Sequence, residues 1–317
     1  MDPRPLTSQQ DQHTVVVPRN LVVAMDDSEL ARMGLVVARC VAAPFKASVH
    51  RVKVSVTKPS SLSDARAIHE DALSLMGHVQ TPSWAKSTWS ARRRPATNPT
   101  EQDVVGLVDD VGDVDAILSA RTVVEGLRTY VAKKRDPMIC LAARARSGLH
   151  RQLLGSTTES LLERAPCPVL AVGPQLDRAQ AAYPARSILL AAGSMLPPGT
   201  LPLVAAWSQA TGAEITAVRV APPVSSLERM LAGQTRTDGE LDELVFTLLG
   251  MGVEATARTL RGTNPASALL TFADELEEPV LIAAPVGERI GREPTNVTRQ
   301  LLQRSRWPVL ASVGTPS

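Results

Sequence analysis

Residues 142–172, AARARSGLHRQLLGSTTESLLERAPCPVLAV, decide the fold. An apolar strand end leads into a basic loop. Gly155-Ser156-Thr157 then opens an amphipathic helix, and Val169-Leu170-Ala171-Val172 reads as a second buried strand. A helix start of this kind presents unpaired backbone N–H groups, hydroxyls and a positive dipole end, which is the chemistry that receives a phosphate. The same three residues open a helix with or without a phosphate, so both readings stand.

The stretch has a second copy. Leu161-Leu162-Glu163-Arg164 recurs as Leu301-Leu302-Gln303-Arg304, and Cys167-Pro168-Val169-Leu170 as Trp307-Pro308-Val309-Leu310, at a constant offset of 140 residues. Met138–Ala142 likewise matches Val280–Ala284, and the opening strand Leu21–Met25 matches Ile188–Ala192. A helix through Leu30, Gly34, Val37, Ala38 and Val41 and a strand through Val49–Val56 follow the first opening; a helix over Leu203–Ala210 and a strand over Ile215–Val220 follow the second. Strands alternating with helices predict parallel sheets covered on both faces, and repetition on this scale is a duplication. The expected division is a flexible tail over 1–18, a first domain over 19–175 with an insertion at 79–113, a linker over 176–186, and a second, degenerate domain over 187–317.

Composition excludes several classes. In 317 residues, 34 Lys and Arg nearly balance 32 Asp and Glu, and aromatics are 3%. Neither the field nor the stacking platforms of a nucleic-acid binder are present. No apolar run is long enough to span a membrane, and residues 1–17 lack an apolar leader core, so a soluble cytoplasmic chain is expected. Cys40, Cys140 and Cys167 are unclustered, as suits a reducing compartment. His50 and His69 have no partners at metal spacing, and neither the P-loop nor the dinucleotide fingerprint occurs. Nothing orients Asp26, His150 and Ser156 as a triad. The insertion carries Arg92-Arg93-Arg94 between Trp89 and a Pro-rich run, read as a solvated segment ahead of a partner contact.

The opening Val23-Ala24-Met25-Asp26-Asp27-Ser28, the loop from Ala142 and Ala145 across nine residues to Gly155-Ser156, and the close Ala165-Pro166-Cys167-Pro168-Val169-Leu170 together resemble the universal stress protein family in tandem form. Arg261-Gly262-Thr263-Asn264-Pro265 resembles its third strand-to-helix turn. The resemblance implies two five-stranded, doubly wound α/β domains of the adenine nucleotide α-hydrolase-like type, paired through their last strands, with further dimerisation open. It implies a non-catalytic stress-response protein that binds ATP weakly in its first domain as a regulatory switch, with Mg²⁺ arriving on the nucleotide. Asp26 then matches the acidic nucleoside contact, and Val54 the position whose backbone meets adenine. Gly155, Ser156 and Thr157 match the phosphate-binding helix start, helped by Arg144 and Arg146. Asp26 reads equally as support for the helix cap at Ser28, and Arg144, Arg146, His150 and Arg151 as a solvated loop. Two family glycines are Ala142 and Ala145 here, where a Cβ obstructs close phosphate approach or positive φ. Ala192 replaces Asp26 in the second domain, Thr295-Asn296 replaces Gly155-Ser156, and Pro285 stiffens its loop, so that copy is expected to bind no nucleotide. The alternative is a nucleotide-free protein–protein interaction module working through the apolar last strands and residues 79–113.

Overall fold

The computed structural model describes residues 17–57, 114–143, 145–146, 153–176, 182–193, 199–223, 235–276, 278–286 and 297–312, with 179 and 196–197 between them. The insertion 79–113, the tail 1–16 and the loop residues Arg144, His150 and Arg151 lie outside the described residues.

The first half runs β1 (Asn20–Met25), α1 (Glu29–Phe45), β2 (Ser48–Val56), β3 (Ala116–Ala120), α2 (Val123–Val131), β4 (Pro137–Ala142), β5 (Ala145–Arg146), β6 (Leu153–Leu154), α3 (Ser156–Arg164) and β7 (Val169–Val172). The second runs β8 (Ser187–Ala191), α4 (Thr200–Thr211), β9 (Glu214–Ala221), α5 (Thr235–Gly250), β10 (Ala255–Arg261), α6 (Pro265–Glu275), β11 (Val280–Pro285), α7 (Val297–Arg304) and β12 (Val309–Ser312). Strands β4, β7, β8 and β11 are uninterrupted apolar runs because helices cover both of their faces. Helix α1 starts where Ser28 accepts a bond from the Ala31 N–H and stops at Lys46, whose left-handed backbone returns its N–H to Ala42 and Ala43.

Ten strands form one sheet in the order β10-β9-β8-β11-β12-β7-β4-β1-β2-β3. Each half is a parallel, doubly wound unit with its first strand in the middle and the order reversing beside it. Helices α2, α3, α6 and α7 share one continuous core on one face, and α1 and α4 another on the opposite face. The halves join where β7 and β12 pair antiparallel, Leu170 opposite Leu310. Phe45 of α1 meets Trp207 of α4 edge to face across this seam, with ring centroids 5.6 Å apart. Glu159 of α3 is ion-paired with Arg299 of α7, again residues 140 apart.

The expected partner surface on the last strands is consumed by this arrangement. Strand β7 lies between β4 and β12, and β12 between β11 and β7, so neither keeps an open edge. The linker is held rather than free where it is described: Ala182 is buried, and its carbonyl accepts a bond from the Cys40 thiol at 3.2 Å.

Candidate functional site

In a doubly wound sheet the ligand crevice opens beyond the carboxyl ends of the strands, where their order reverses. In the first half that point lies between β1 and β4. Asp26 follows the last residue of β1 and Ala142 ends β4, so strand adjacency brings the two together. Val54 lies on the other side of β1. The β1–β2 register ends at Met25 opposite Lys53, whereas the β2–β3 register runs on to Val56 opposite Ala120. Residues 54–56 therefore extend past the end of β1 and turn one backbone edge toward the crevice.

The local chemistry of Asp26 favours its capping role. Its Oδ1 accepts from the Ser28 N–H at 2.9 Å and from the Ser28 hydroxyl, and Ser28 Oγ accepts from the Ala31 N–H at 3.1 Å. Beside it Asp27 holds Lys53 Nζ at 2.9 and 3.1 Å, and this bond from Lys53 keeps the Asp27 carboxyl below the usual range.

Gly155 is the N-cap of the nine-residue helix α3, in extended conformation (φ −62°, ψ 143°), and this cap residue gives the helix no side-chain hydrogen bond. The loop ahead of it closes as a two-residue ladder, Ala145 opposite Leu154 and Arg146 opposite Leu153, which delivers the chain directly to Gly155. Ala145 and Arg146 are thus described through their backbone. Among the described residues the positive-φ positions are Lys46, Asp136 and three glycines, so neither Ala142 nor Ala145 carries the strain that a lost glycine would impose.

Ser156 and Thr157 face an open groove of about 740 Å³ between α2 and α3, lined also by Thr122, Arg128, Ser160 and Arg164. Helix α3 lies on the sheet face opposite α1, the face it shares with α2. The α2 side of the groove was not legible as a site. Its one signal is the Thr122-x-x-Glu125 spacing of a helix start, and Thr122 Oγ1 does accept from the Glu125 N–H at 3.1 Å.

In the second half the backbone bond from Arg186 N–H to Pro279 repeats that from Arg19 N–H to Asp136, which sets Ala192 level with Met25 and puts the exposed Gly193, not the expected Ala192, at the position of Asp26. Ala192 is buried, and its N–H is given to Val218. The Pro285 carbonyl accepts from the buried Thr298 hydroxyl at 2.8 Å, tying the loop start to α7. Thr295 and Asn296 lie outside the described residues.

Among the described residues no three His, Cys, Asp or Glu side chains gather as metal ligands do, and His50 Nε2 bonds Asn20 Oδ1 at 3.0 Å. Burial pushes the Cys40 thiol up to about 11 and Cys167 to about 12, so neither supplies a thiolate nucleophile near neutrality. Among the described residues no helix is long and apolar enough to cross a membrane.

The chain is similar over 94% of its length, at 16% identity and TM-score 0.56, to a universal stress protein from Archaeoglobus fulgidus DSM 4304, of which it covers 99%. It is similar over 95%, at 13% identity and TM-score 0.55, to a functionally unknown protein from Pseudomonas aeruginosa PAO1, of which it covers 94%. At these identities the likeness concerns the fold. No curated protein matches it in sequence. The universal stress protein family model matches residues 18–173, the whole first unit from β1 through β7, and through that unit the chain belongs to the universal stress protein family.

Proposed function

We propose that the chain acts by binding rather than turnover, and that its first half takes an adenine nucleotide at the carboxyl ends of β1, β2 and β4. The observation that carries this reading is the start of α3. Gly155 supplies no side-chain cap to that helix, and the β5–β6 ladder follows the end of β4 and leads into it, which supports a phosphate at this helix start. Gly155, Ser156 and Thr157 hold the phosphates, assisted by Arg144 and Arg146. The extended backbone edge at Val54 meets the adenine, and Asp26 shares its carboxylate between Ser28 and the ribose. Mg²⁺ comes with ATP and is held by its phosphates. The second half, with Gly193 in the place of Asp26 and Pro285 tied to Thr298, binds none.

Bound nucleotide acts as a regulatory switch to the extent that two loop states differ in affinity for it. The family supports a stress-response role, and a cytoplasmic location is part of the same proposal. The rival reading, a nucleotide-free interaction module, is favoured by the bonds that already engage Asp26 with Ser28.

Calorimetric titration with Mg-ATP, ADP and AMP separates the two. Saturable binding near one site per chain, abolished in Gly155→Trp, supports the nucleotide site. No heat from a folded sample up to millimolar ligand leaves the interaction module.

A further inference from the structure

We propose that the outer edge of β10 is a docking site for an extended segment of a partner protein in which apolar and acidic residues alternate. Strand β10 ends the ten-stranded sheet, and among the described residues no strand pairs with its outer side. The Gly262 N–H goes to Ala221 of β9, and the Glu254 carbonyl accepts from Ile215. By alternation residues 256, 258 and 260 also point inward, while the N–H and carbonyl groups of Ala257, Thr259 and Arg261 point out.

The side chains around this edge specify what would add to it. Helix α5 packs over β9 and β10 through Leu241 and Leu248, and Leu244 and Leu248 join the cluster that holds Trp207 of α4. The opposite flank, with Asp242, Phe246 and Leu249, is therefore turned away from α4 toward the β10 edge. Phe246 is 77% exposed and Leu249 51%, an apolar pair standing beside open backbone. On the other face of β10, Arg258 lies next to Leu260, which packs in the α6 core. Strand β10 carries Arg258 and Arg261 and no acidic residue. An incoming strand places its apolar residues under Phe246 and Leu249 and its carboxylates beside Arg258. A second copy of β10 fits less well, because antiparallel pairing about the middle of the strand sets Arg258 against Arg258.

The test is fluorescence anisotropy of the full chain with a labelled peptide of alternating glutamate and valine, and with its lysine–valine counterpart. Thr259→Pro removes an outward N–H and no inner ladder bond, so the fold survives, checked by circular dichroism. Saturable binding of the acidic peptide is expected, about tenfold tighter than the basic one. It should be lost in Thr259→Pro, with the preference reversed in Arg258→Glu. Absent binding, or undiminished binding by Thr259→Pro, overturns the proposal. Self-association of the parent chain in sedimentation, abolished by Thr259→Pro, also overturns it by assigning the edge to a second copy.

Discussion

Leu170 lies directly opposite Leu310 in the antiparallel ladder that joins the halves, and the two are equivalent residues of the repeat. A residue facing its own counterpart marks a two-fold axis, so this seam is the self-complementary interface of a dimer built into one chain. Glu159 and Arg299 obey the same relation with one difference: the duplicated position has acquired opposite charges. Two first halves meeting this way would oppose glutamates and two second halves arginines, so the divergence favours pairing of unlike halves.

The seam depends on the absence of a side chain at Gly173. A Cβ there would lie 2.4 Å from the Leu302 carbonyl and 3.2 Å from that of Ser305, both backbone atoms of the other half. Gly173→Ala should destabilise the chain by about 1–3 kcal/mol through overpacking. Gly193, where an added Cβ meets nothing within 4 Å among the described residues, is the control, and Gly193→Ala should stay within about 0.5 kcal/mol. Thermal unfolding of both variants checks this; equal melting points would mean the seam yields without cost.

Arg51 and Asp115 clamp the amino end of β3 to β2. The Asp115 carboxylate accepts from the Arg51 N–H at 2.7 Å and from its guanidinium at 3.0 Å, with both side chains largely buried. Burial alone would raise the Asp115 pKa, but the side-chain and backbone bonds from Arg51 outweigh it and hold the carboxyl below its usual value. A depressed folded-state pKa stabilises above the unfolded value, near pH 4, and that stability disappears as pH falls through the folded value. Asp115→Asn should cost about 2 kcal/mol at pH 7, and its denaturation midpoint should converge on that of the parent as pH falls through the folded-state value. A constant gap at every pH would assign the effect to packing.

Most of the framework was written in periodic runs. The strands ending at Ala142, Val172 and Pro285 are largely buried and read as plain apolar stretches, and the offset of 140 residues exposed the duplication. Strand β3 and helix α2 were harder to read. Ala116–Ala120 is short, half polar and follows a long insertion, and the Thr122 cap is a weak local signal. The residues that would carry the site were named, and the tie of Asp26 to Ser28, two residues on, was readable as part of a helix cap. That Ser156 faces α2 across a groove is a tertiary fact no spacing contains.

Asp26→Ala distinguishes the two roles of that residue. Loss of its bonds to Ser28 loosens the start of α1 and should lower stability by about 1 kcal/mol. If the carboxylate also holds the ribose, the nucleotide Kd should rise about tenfold, as for the loss of a charge-assisted hydrogen bond. A lower melting point with unchanged Kd would make it a cap residue alone.

Ala145 offers the sharper test of the phosphate loop. Its backbone sits in the β5–β6 ladder, outside the left-handed region, so a glycine there relieves no strain. Glycine instead adds freedom to the unfolded chain, and Ala145→Gly should lower stability by about 0.5–1 kcal/mol. Any change in nucleotide affinity then comes from removing one methyl group from the phosphate approach. Tighter binding of Mg-ATP in calorimetry, alongside a lower melting point, is the expected pair of results. Unchanged affinity would show that the methyl does not obstruct the phosphates, and would move the limiting defect to Asp26 and its bonds with Ser28.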